Sequence, residues 1–385
     1  MTLERIQILQ RLSDIDATAW NALAGNNPFL RYEFLNNLET SGCVCAETGW
    51  EPRHILLWRQ GVLVGAMPLY LKHHSYGEYI FDWAWADAYQ RHGVPYFPKL
   101  SSAIPFTPVC GERLLSADPQ MREQLAKAAI ALAQELKVSS LHILYPTQSQ
   151  AAEMEKLGYL LRSSTQFHWQ NHGYASFDEF LSEMSHDKRK KIKQERRKIG
   201  EQNVRFVVLR GGEITSADWQ FFSRCYRTTY QLHHSSPYLN FDFFLGLGRD
   251  MPDQTVMVKA VINDKPVAAA LNLKNETRLF GRYWGSEIYL PGLHFETCYY
   301  QGINYCIENK LAVFEGGVQG EHKLARGLLP VETYSNHWLA HSEFSAAIAN
   351  FIERESKSVE RYIDDLVGMT PFKITDKKNA AQGEP

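Results

Sequence analysis

Two segments of this chain share a spacing that strongly limits its possible folds. Gly158 is followed ten residues later by His168 and then by a tryptophan, and Gly327 is followed in the same way by His337 and a tryptophan. A fixed internal offset of this kind is typical of a duplicated unit. The 385 residues are therefore predicted to form two copies of one α/β module, in which the His-Trp pairs are structural closing elements.

Composition places the chain among soluble globular proteins. Hydrophobic residues make up 44% and charged residues 22%, and the length fits two or three domains. No run of about 18 apolar residues predicts a membrane-spanning helix, and residues 1–5 lack the basic start of a signal peptide. Six cysteines spread over a long chain fit a reducing compartment, so we expect a cytoplasmic protein.

The apolar pattern predicts a similar order of elements in both halves. In the first half, the predicted helices are 16–23, 32–40, 119–136 and 148–157, and the predicted strands are 54–58, 62–71, 79–85, 141–144 and a pair within 160–169. In the second half, the predicted helices are 215–230, 241–247 and 293–308, and the predicted strands are 256–262, 266–274, 279–284, 312–315 and 329–340. A last helix is predicted from 342 to about 367. Residues 87–113, rich in proline and aromatic residues, are predicted to form a long irregular loop over a cleft.

These elements divide the chain into four predicted parts: an N-terminal domain (1–170), a basic helical connector (171–202), a C-terminal domain (203–372) and a flexible tail (373–385). Within the connector, residues 188–198 carry eight cations and one acid. The formal charge of the chain is −2, so the rest of it carries −9. A basic helix on an acidic body predicts a local anion site, and the plainer alternative is a solvated surface. The candidate anion ligands are Lys190, Lys191, Lys193 and Arg197.

Several motifs together resemble one family. They are the segments 315–323 and 325–330, Tyr334-Ser335 with His337-Trp338, the segments 282–285 and 293–296, and the basic helix. With an order of elements like that of the GNAT acyltransferase fold, they resemble the FemAB-like family, and more narrowly its group of peptidoglycan biosynthesis or recognition proteins. The resemblance covers nearly the whole chain. It implies an α/β (α+β) fold of two tandem GNAT-like domains, each a mixed, mostly antiparallel sheet flanked by helices, joined by the basic helix.

The resemblance also implies an activity, namely transfer of an acyl or aminoacyl group to an amine. FemAB proteins move an amino acid from aminoacyl-tRNA to a peptidoglycan precursor, and single-unit relatives use acyl-CoA. The GNAT pyrophosphate loop has no clean copy here, because the matching residues 289–294 contain one glycine and a proline without an amide hydrogen. An aminoacyl-tRNA donor, or loss of donor binding, is therefore favoured over a standard CoA site, although both donors stay open. No tightly bound cofactor or metal is expected, and the acceptor is expected to be a small molecule or a cell-wall precursor.

Amide formation from an activated ester requires a neutral amine, a stabilised oxyanion and a protonated leaving group. Glu296 is the first candidate base, with Tyr300 one turn later on the same helix face. The alternative is that Glu296 only caps its helix. Gly285, at the end of the third strand, is expected to let a substrate approach the backbone, and Trp284 and His294 are candidate substrate ligands.

The run 316–320 contains three glycines, which weaken any regular element, so it predicts a backbone that approaches a ligand closely. His322, Lys323 and Arg326 follow at helical spacing and are assigned to an anion or substrate site. The alternative is a turn before a solvated charged helix. Further candidate substrate ligands are Arg282, Glu315 and Gln319.

Asp82 and Trp83, predicted at the end of the first half's third strand, are candidates for an acceptor cleft, and core packing is the alternative. Two other classes of function stay open. One is a non-catalytic module that recognises a peptidoglycan precursor or a phosphorylated partner. The other is a tRNA-binding protein without transfer activity.

Overall fold

In the computed structural model, which describes residues 4–232, 234–317 and 320–373, strands and helices alternate through both halves of the chain. The strands of the first half are β1 (Glu4–Leu9), β2 (Trp50–Pro52), β3 (His54–Arg59), β4 (Val62–Met67), β5 (Tyr70–Lys72), β6 (Lys99–Ser102), β7 (Ser140–Leu144) and β8 (Leu160–Gln170). Its helices are α1 (Ala17–Ala24), α2 (Tyr32–Thr40), α3 (Trp83–Arg91), α4 (Pro119–Glu135) and α5 (Gln148–Glu155). Helix α4 begins where the Asp118 carboxylate accepts from the amide of Gln120 at 2.9 Å, beside a proline in the first turn.

The connector is helical, and the second half again combines strands and helices. The connector contains α6 (Phe177–Glu183) and α7 (His186–Gly200). The second half contains strands β9 (Arg205–Arg210), β10 (Thr255–Ile262), β11 (Lys265–Lys274), β12 (Arg278–Ser286), β13 (Val313–Glu315) and β14 (Leu329–Leu339). Its helices are α8 (Ser216–Leu232), α9 (Phe241–Asp250), α10 (Leu293–Phe295), α11 (Gln301–Glu308) and α12 (Ser342–Gly368). A π-helical turn (Glu296–Tyr300) joins α10 to α11, and a 3₁₀ turn (Glu321–Arg326) precedes β14.

Most predicted helices and strands are confirmed within a few residues, but the predicted strand 79–85 is wrong. Residues 79–82 are irregular and α3 begins at Trp83. The reason is tertiary: Glu78 and Asp82 turn inwards to bind Lys99, whose strand β6 lies between β5 and β7 in the sheet. Residues 87–113 are therefore not wholly irregular, because they contain the end of α3 and all of β6.

Two further boundaries differ from the prediction. The predicted strand 62–71 is divided near Pro68, so that β4 pairs with β3 while β5 pairs with β2 and β6. The predicted strand pair within 160–169 is the single strand β8. The division of 62–71 occurs because Pro68 lacks the amide hydrogen that a continuous hydrogen-bonded ladder needs.

The strands form two sheets. The smaller has the order β1-β3-β4, and the larger has the order β2-β5-β6-β7-β14-β8-β13-β12-β11-β10-β9. Pairs β6–β7 and β12–β13 are parallel, and the other pairs in the large sheet are antiparallel. The predicted mixed, mostly antiparallel sheet flanked by helices is thus confirmed.

The closing strands of the two halves exchange places. β14, from the second half, pairs with β7 of the first, and β8, from the first half, pairs with β13 of the second. His337 lies opposite His142, and His168 lies opposite Glu315. The glycines that precede these strands, Gly158 and Gly327, have φ of 90° and 88°, in a region that other residues rarely adopt. The repeated spacing therefore marks the two strands that join the halves.

One apolar core also runs across the halves. The ring of Phe29 lies 5.2 Å from Phe280, and the ring of Phe34 lies 5.6 Å from Phe243. Asn37 donates to the carbonyl of Phe243 at 2.8 Å, so α2 and α9 also share a buried polar contact. This packing joins the two halves through one core. The predicted domain boundaries stay a prediction.

Helix α12 is the longest of the described helices, with 27 residues. Its buried residues Ile348 and Ile352 pack in a cluster with Trp85 and Tyr89 of α3. Among residues 4–232, 234–317 and 320–373, no helix has the length and apolar character needed to cross a membrane.

Candidate active site

The parallel strands β12 and β13 separate at one end. Residues 278–280 pair with residues 313–315, and beyond this point β12 continues without β13 beside it in the described part of the chain. The chain after β13 turns away at Gly316 and Gly317, where Gly317 has φ of +75°. It stays bonded to β8 instead, because the amide of Gly316 donates to the carbonyl of Phe167 at 3.0 Å. A gap is thus open between the two strands.

A β-bulge in β12 places Arg282 at this gap. Leu271 of β11 lies opposite Tyr283, and Asn272 lies opposite Gly281, so Arg282 is the extra residue. Bulges often lie beside active sites because they redirect a side chain. The Nε atom of Arg282 is buried and has no hydrogen-bond partner among the described residues.

Two cavities meet at Arg282. One, of about 120 Å³, lies beside β12 in the second half, and the other, of about 300 Å³, lies between the halves. The two cavities share Gly281, Arg282 and Gly316. The walls of the smaller cavity include Trp284, His294, Cys298 and Tyr299. One guanidinium group therefore forms part of the walls of both cavities.

A buried ion pair fixes Arg282 at this junction. Its guanidinium donates to a carboxylate oxygen of Glu315 at 2.8 Å, and Arg278 donates to the other oxygen at 3.1 Å. The side chains of Arg282 and Glu315 are 2% and 1% exposed, whereas Arg278 is 42% exposed. Burial by itself raises the pKa of Glu315, but His168 and the two arginines outweigh it, and the pKa lies below its usual value.

Lys323 lies behind the glycine run that lines the larger cavity. Its side chain is buried, and Nζ donates to the carbonyl of Gly317 at 3.2 Å. Burial, together with the charge of Arg282, lowers the pKa of Lys323 from 10.5 to about 7. A lysine with this pKa is partly neutral near pH 7 and is able to accept a proton.

Uncharged rings line the smaller cavity. The ring of His294 lies 5.1 Å from Trp284 and 5.3 Å from Tyr299. Burial, with help from nearby cations, lowers the pKa of His294 to about 4. The Tyr299 hydroxyl lies 3.2 Å from Nε2 of His322, whose pKa is also lowered by burial. At neutral pH these imidazoles are expected to be neutral.

The first half contributes an aromatic wall to the larger cavity. Tyr79 and Phe106 line it with φ of +60° and +63°, which is rare for bulky residues. Tyr145, with φ of +56°, donates its hydroxyl to the carbonyl of Tyr79 at 2.8 Å. The ring of Phe106 stacks on Tyr238 of the second half at 4.9 Å. Strained backbone of this kind is concentrated at functional sites.

Comparison with known sequences agrees with this architecture. The sequence profile of the FemAB-like family, described as peptidoglycan biosynthesis/recognition, matches residues 11–374. The chain belongs to the FemAB-like family. A comparison with curated proteins finds no significant match.

Solved structures similar to this FemAB-like chain share its fold at low sequence identity. FemX is 10% identical with a TM-score of 0.55, over 87% of this chain and 98% of FemX. The C-terminal domain of a putative lysylphosphatidylglycerol synthetase from Agrobacterium fabrum is 8% identical with a TM-score of 0.51, over 87% of this chain and 95% of that one. Together with the sheet order, these likenesses confirm the predicted tandem GNAT-like fold. A tandem GNAT protein from the clavulanic acid biosynthesis pathway is 10% identical with a TM-score of 0.46, over 88% and 99% of the two chains.

Glu296 and Tyr300, the predicted base and its neighbour, face the basic helix α7 and are not among the residues that line the two cavities. Arg196 of α7 binds the Glu296 carboxylate at 3.0 Å, and Gln301 donates to it at 2.8 Å. The Tyr300 hydroxyl donates to Glu195 of the same helix. The catalytic role of both residues stays a prediction, and their contacts give each of them a structural role.

Gly285 faces a helix. A Cβ added at this position would overlap the backbone of Cys225 and Tyr226 in α8. The glycine therefore permits α8 to pack closely on β12. Its predicted role in approaching a substrate carbonyl stays a prediction. Trp284 lines the smaller cavity, and its role as a substrate ligand also stays a prediction.

The two acceptor-cleft candidates of the first half, Asp82 and Trp83, lie in different environments. Trp83 lines the cavity between the halves and is 43% exposed. Asp82 lies behind the wall, where its carboxylate accepts from Lys99 and, at 2.6 Å, from the Tyr96 hydroxyl. Only the tryptophan is presented to a ligand in the cavity.

The candidate residues around the glycine run also differ in whether they face the cavities. Gly316 lines both cavities and Gly317 lines the larger one, whereas Lys323 lies behind them, bound to the Gly317 carbonyl and not among the lining residues. Arg326 turns away to Glu195 at 3.0 Å. Its guanidinium also lies 3.4 Å from the centre of the Phe295 ring. Gln319 lies outside the described residues.

The basic helix is anchored by one face and exposed on the other. Ile192 and Ile199 are buried. Lys193 pairs with Asp178 at 2.8 Å, and Arg197 pairs with Glu201 at 3.5 Å. The lysines that are exposed and have no ion-pair partner among the described residues are Lys190, Lys191 and Lys198. The anion-binding role stays a prediction, with these lysines as its most accessible groups.

Sequence reasoning missed several residues that line the cavities. Cys298 and Tyr299 face the smaller cavity, and Tyr76, Tyr79 and Phe81 face the larger one. The density of aromatic residues between 76 and 83 was a usable signal, since rings presented on an irregular segment next to Gly77 are available to a ligand. Cys298 and Tyr299 had no such signal, because the π-helical turn shifts which residues face the cavity.

Proposed function

We propose that this protein is an N-acyltransferase that moves an aminoacyl or acyl group to the amine of an acceptor, with the donor in the smaller cavity and the acceptor in the larger. The observation that carries the proposal is the meeting of the two cavities at a bulged, buried arginine beside a lysine of lowered pKa. The likeness in fold to FemX and membership of the FemAB-like family support a transferase. The family description also supports an acceptor related to peptidoglycan.

The proposed reaction uses the groups at the junction. The acceptor nitrogen attacks the carbonyl carbon of the donor ester, so that a C–N bond forms and the C–O bond to the leaving group breaks. Arg282 Nε donates to the oxyanion that develops on the carbonyl. The neutral Lys323 amine takes the proton lost by the nitrogen and returns it to the leaving oxygen, so Lys323 ends in its starting state.

Aminoacyl-tRNA is the donor that the contacts favour. In GNAT-like sites a pyrophosphate is held by free backbone amides before a helix. Here the amide of Ile288 donates to Ser286 at 3.2 Å and the amide of Leu293 donates to the carbonyl of Leu290 at 3.1 Å, while Pro291 has no amide hydrogen. The exposed lysines of α7 offer a surface for the phosphates of a tRNA instead. The six free cysteines fit a cytoplasmic location, where thiols stay reduced.

A transfer assay with defined donors tests the proposal. Purified protein is incubated with charged tRNAs or with acyl-CoA and a panel of amines, and amide products are detected by mass spectrometry. Lys323→Met is expected to lower the rate by about 100-fold or more. The matched control Lys310→Met, at an exposed lysine outside both cavities, is expected to keep the wild-type rate. Ligand binding without turnover for every donor would instead favour a non-catalytic recognition module.

A further inference from the structure

The larger cavity is lined mainly by aromatic rings. Five of these residues belong to the first half or its loops, and one belongs to the second half. Tyr76, Phe81 and Trp83 are 56%, 55% and 43% exposed, so their rings are available at the mouth of the cavity. The complete set is Tyr76, Tyr79, Phe81, Trp83, Phe106 and Tyr238.

Charged groups are scarce on the same walls. Among the described lining residues, Arg282 is the one charged side chain, and it is 2% exposed and paired with Glu315. A diphosphate is normally bound by several cations or by helix amides. The described walls of this cavity therefore lack the groups that a nucleotide diphosphate requires.

Behind the aromatic wall, two carboxyl groups share one ammonium group. One ammonium group, Lys99, faces the two carboxylates of Glu78 and Asp82. One oxygen of each carboxylate is buried without a hydrogen-bond partner among the described residues. Burial lowers the pKa of the neighbouring Lys72 to about 6, so this side chain adds little positive charge at neutral pH. Burial raises the pKa of Glu78, whereas Asp82 stays ionised and balances Lys99, so these groups add no net positive charge that would oppose a cation in the cavity.

We propose that the larger cavity binds the acceptor as a primary ammonium on an uncharged body with a flat apolar face, and not as a nucleotide-diphosphate-linked precursor. The inference rests on the proposed function, because it takes this cavity as the acceptor site. Aromatic faces attract an ammonium group and also cover the apolar face of a sugar or an aryl ring. The strained backbone at Tyr79 and Phe106 holds two of these rings in place before the ligand arrives. The ammonium loses one proton to solvent before its nitrogen attacks.

Binding measured without any donor tests the inference. Isothermal titration compares three probes: an arylalkylamine such as phenethylamine, an amino sugar such as glucosamine, and a UDP-linked muramyl peptide. At least one of the two simple amines is expected to bind, and which one binds identifies the body of the acceptor. The N-acetylated form of that amine, which has no charge, is expected to bind at least about threefold more weakly because it loses the cation–π contact.

Paired variants locate the binding site. Phe81→Ala combined with Trp83→Ala is expected to weaken amine binding about tenfold, since both rings are exposed and the fold does not depend on them. Tyr289→Ala removes a ring that is 92% exposed outside the cavity and is expected to leave amine binding unchanged. Tighter binding of the UDP-linked probe, no binding of either amine, or equal amine binding by the double variant would each overturn the inference.

The two proposals fail in different ways. A protein that binds amines through Phe81 and Trp83 but forms no amide with any donor contradicts the proposed function alone. A protein that forms amides at a rate that does not depend on these rings contradicts the present inference alone.

Discussion

Lys323 and Glu315 show how burial acts in opposite ways on single residues of the same site. Glu315 has two arginine partners, so it stays ionised although its side chain is 1% exposed. Lys323 lies near Arg282, and burial together with that charge lowers its pKa to about 7. Glu315 therefore fixes the position of Arg282, whereas Lys323 is suited to accept and release a proton.

We predict that the transfer rate rises with pH through the pKa of Lys323. The folded-state pKa lies below the usual 10.5, so the neutral amine becomes the main form above about pH 7. The rate is expected to increase between about pH 6 and 8. Initial rates across this range provide the measurement.

Lys323→Arg is the control for this pH profile. A guanidinium group stays protonated at these pH values, so the variant is expected to lose the rise between pH 6 and 8. An unchanged profile in the variant would assign the titration to another group.

At Glu315 the prediction concerns stability. Glu315→Gln leaves the buried Arg282 without its counter-charge, and the free energy of unfolding is expected to fall by about 3–5 kcal/mol. Arg278→Gln removes the partner that is 42% exposed and is expected to cost less than about 1 kcal/mol. Urea unfolding of the two variants measures both effects. Equal losses would show that the exposed arginine contributes as much as the buried one.

At the scale of elements, helix α7 has a structural role on one face and a predicted anion-binding role on the other. Glu195 and Arg196 bind Arg326, Tyr300 and Glu296 and thus brace the π-helical turn beside the smaller cavity. The exposed lysines on the other face are left for a polyanion. A helix that was predicted to be a connector with a local anion site is therefore also part of the support of the candidate site.

We predict that neutralising the exposed face of α7 weakens tRNA binding in a salt-dependent way. The triple change of Lys190, Lys191 and Lys198 to Gln is expected to make the slope of log K against log salt shallower by about 2 to 3, because each phosphate contact contributes about 0.7 to 0.9. Filter binding with deacylated tRNA at several salt concentrations measures the slope.

A second triple variant controls for net charge. Lys137, Lys156 and Lys310 are exposed lysines outside α7, and changing them to Gln removes the same charge. This variant is expected to keep the wild-type slope. If both triple variants lose affinity equally, tRNA binding follows total charge and not the helix.

At the scale of the whole molecule, the exchange of β8 and β14 ties the halves together. Each half completes its part of the large sheet with the closing strand of the other. The core across Phe29 and Phe280 adds contacts of the same long range. Neither half has a closed sheet made from its own residues alone.

We predict that the halves do not fold as separate proteins. Residues 1–170 produced alone retain β8 but lose β14 beside β7, which exposes strand edges. Each fragment is expected to aggregate or to show poorly dispersed NMR spectra, and co-expression of 1–202 with 203–385 is expected to restore a folded complex. A well-dispersed spectrum of 1–170 alone would contradict this expectation.

The element order was readable from the sequence because helices and most strands follow local patterns of apolar residues. Residues 119–136 and 256–262 are examples, in which periodicity or a continuous apolar run sufficed. The strand prediction for residues 79–85 was wrong because their conformation depends on Lys99, which lies in a later strand and binds Asp82. Glu296 was placed on the correct helix, but the partner that turns it away from the cavities, Arg196, is a hundred residues distant.

By itself, the sequence determined the duplication, the order of elements and the family resemblance, since these depend on spacing and on local periodicity. The tertiary structure alone decided that the duplicated strands cross between the halves. It also decided that Arg282 lies in the walls of two cavities, with Lys323 bound to Gly317 behind them, and that Tyr79 and Phe106 form part of a strained wall. The physical reason is that strand pairing, burial and ion pairing join residues that are distant in the chain, and no local pattern records which distant partner a residue will meet.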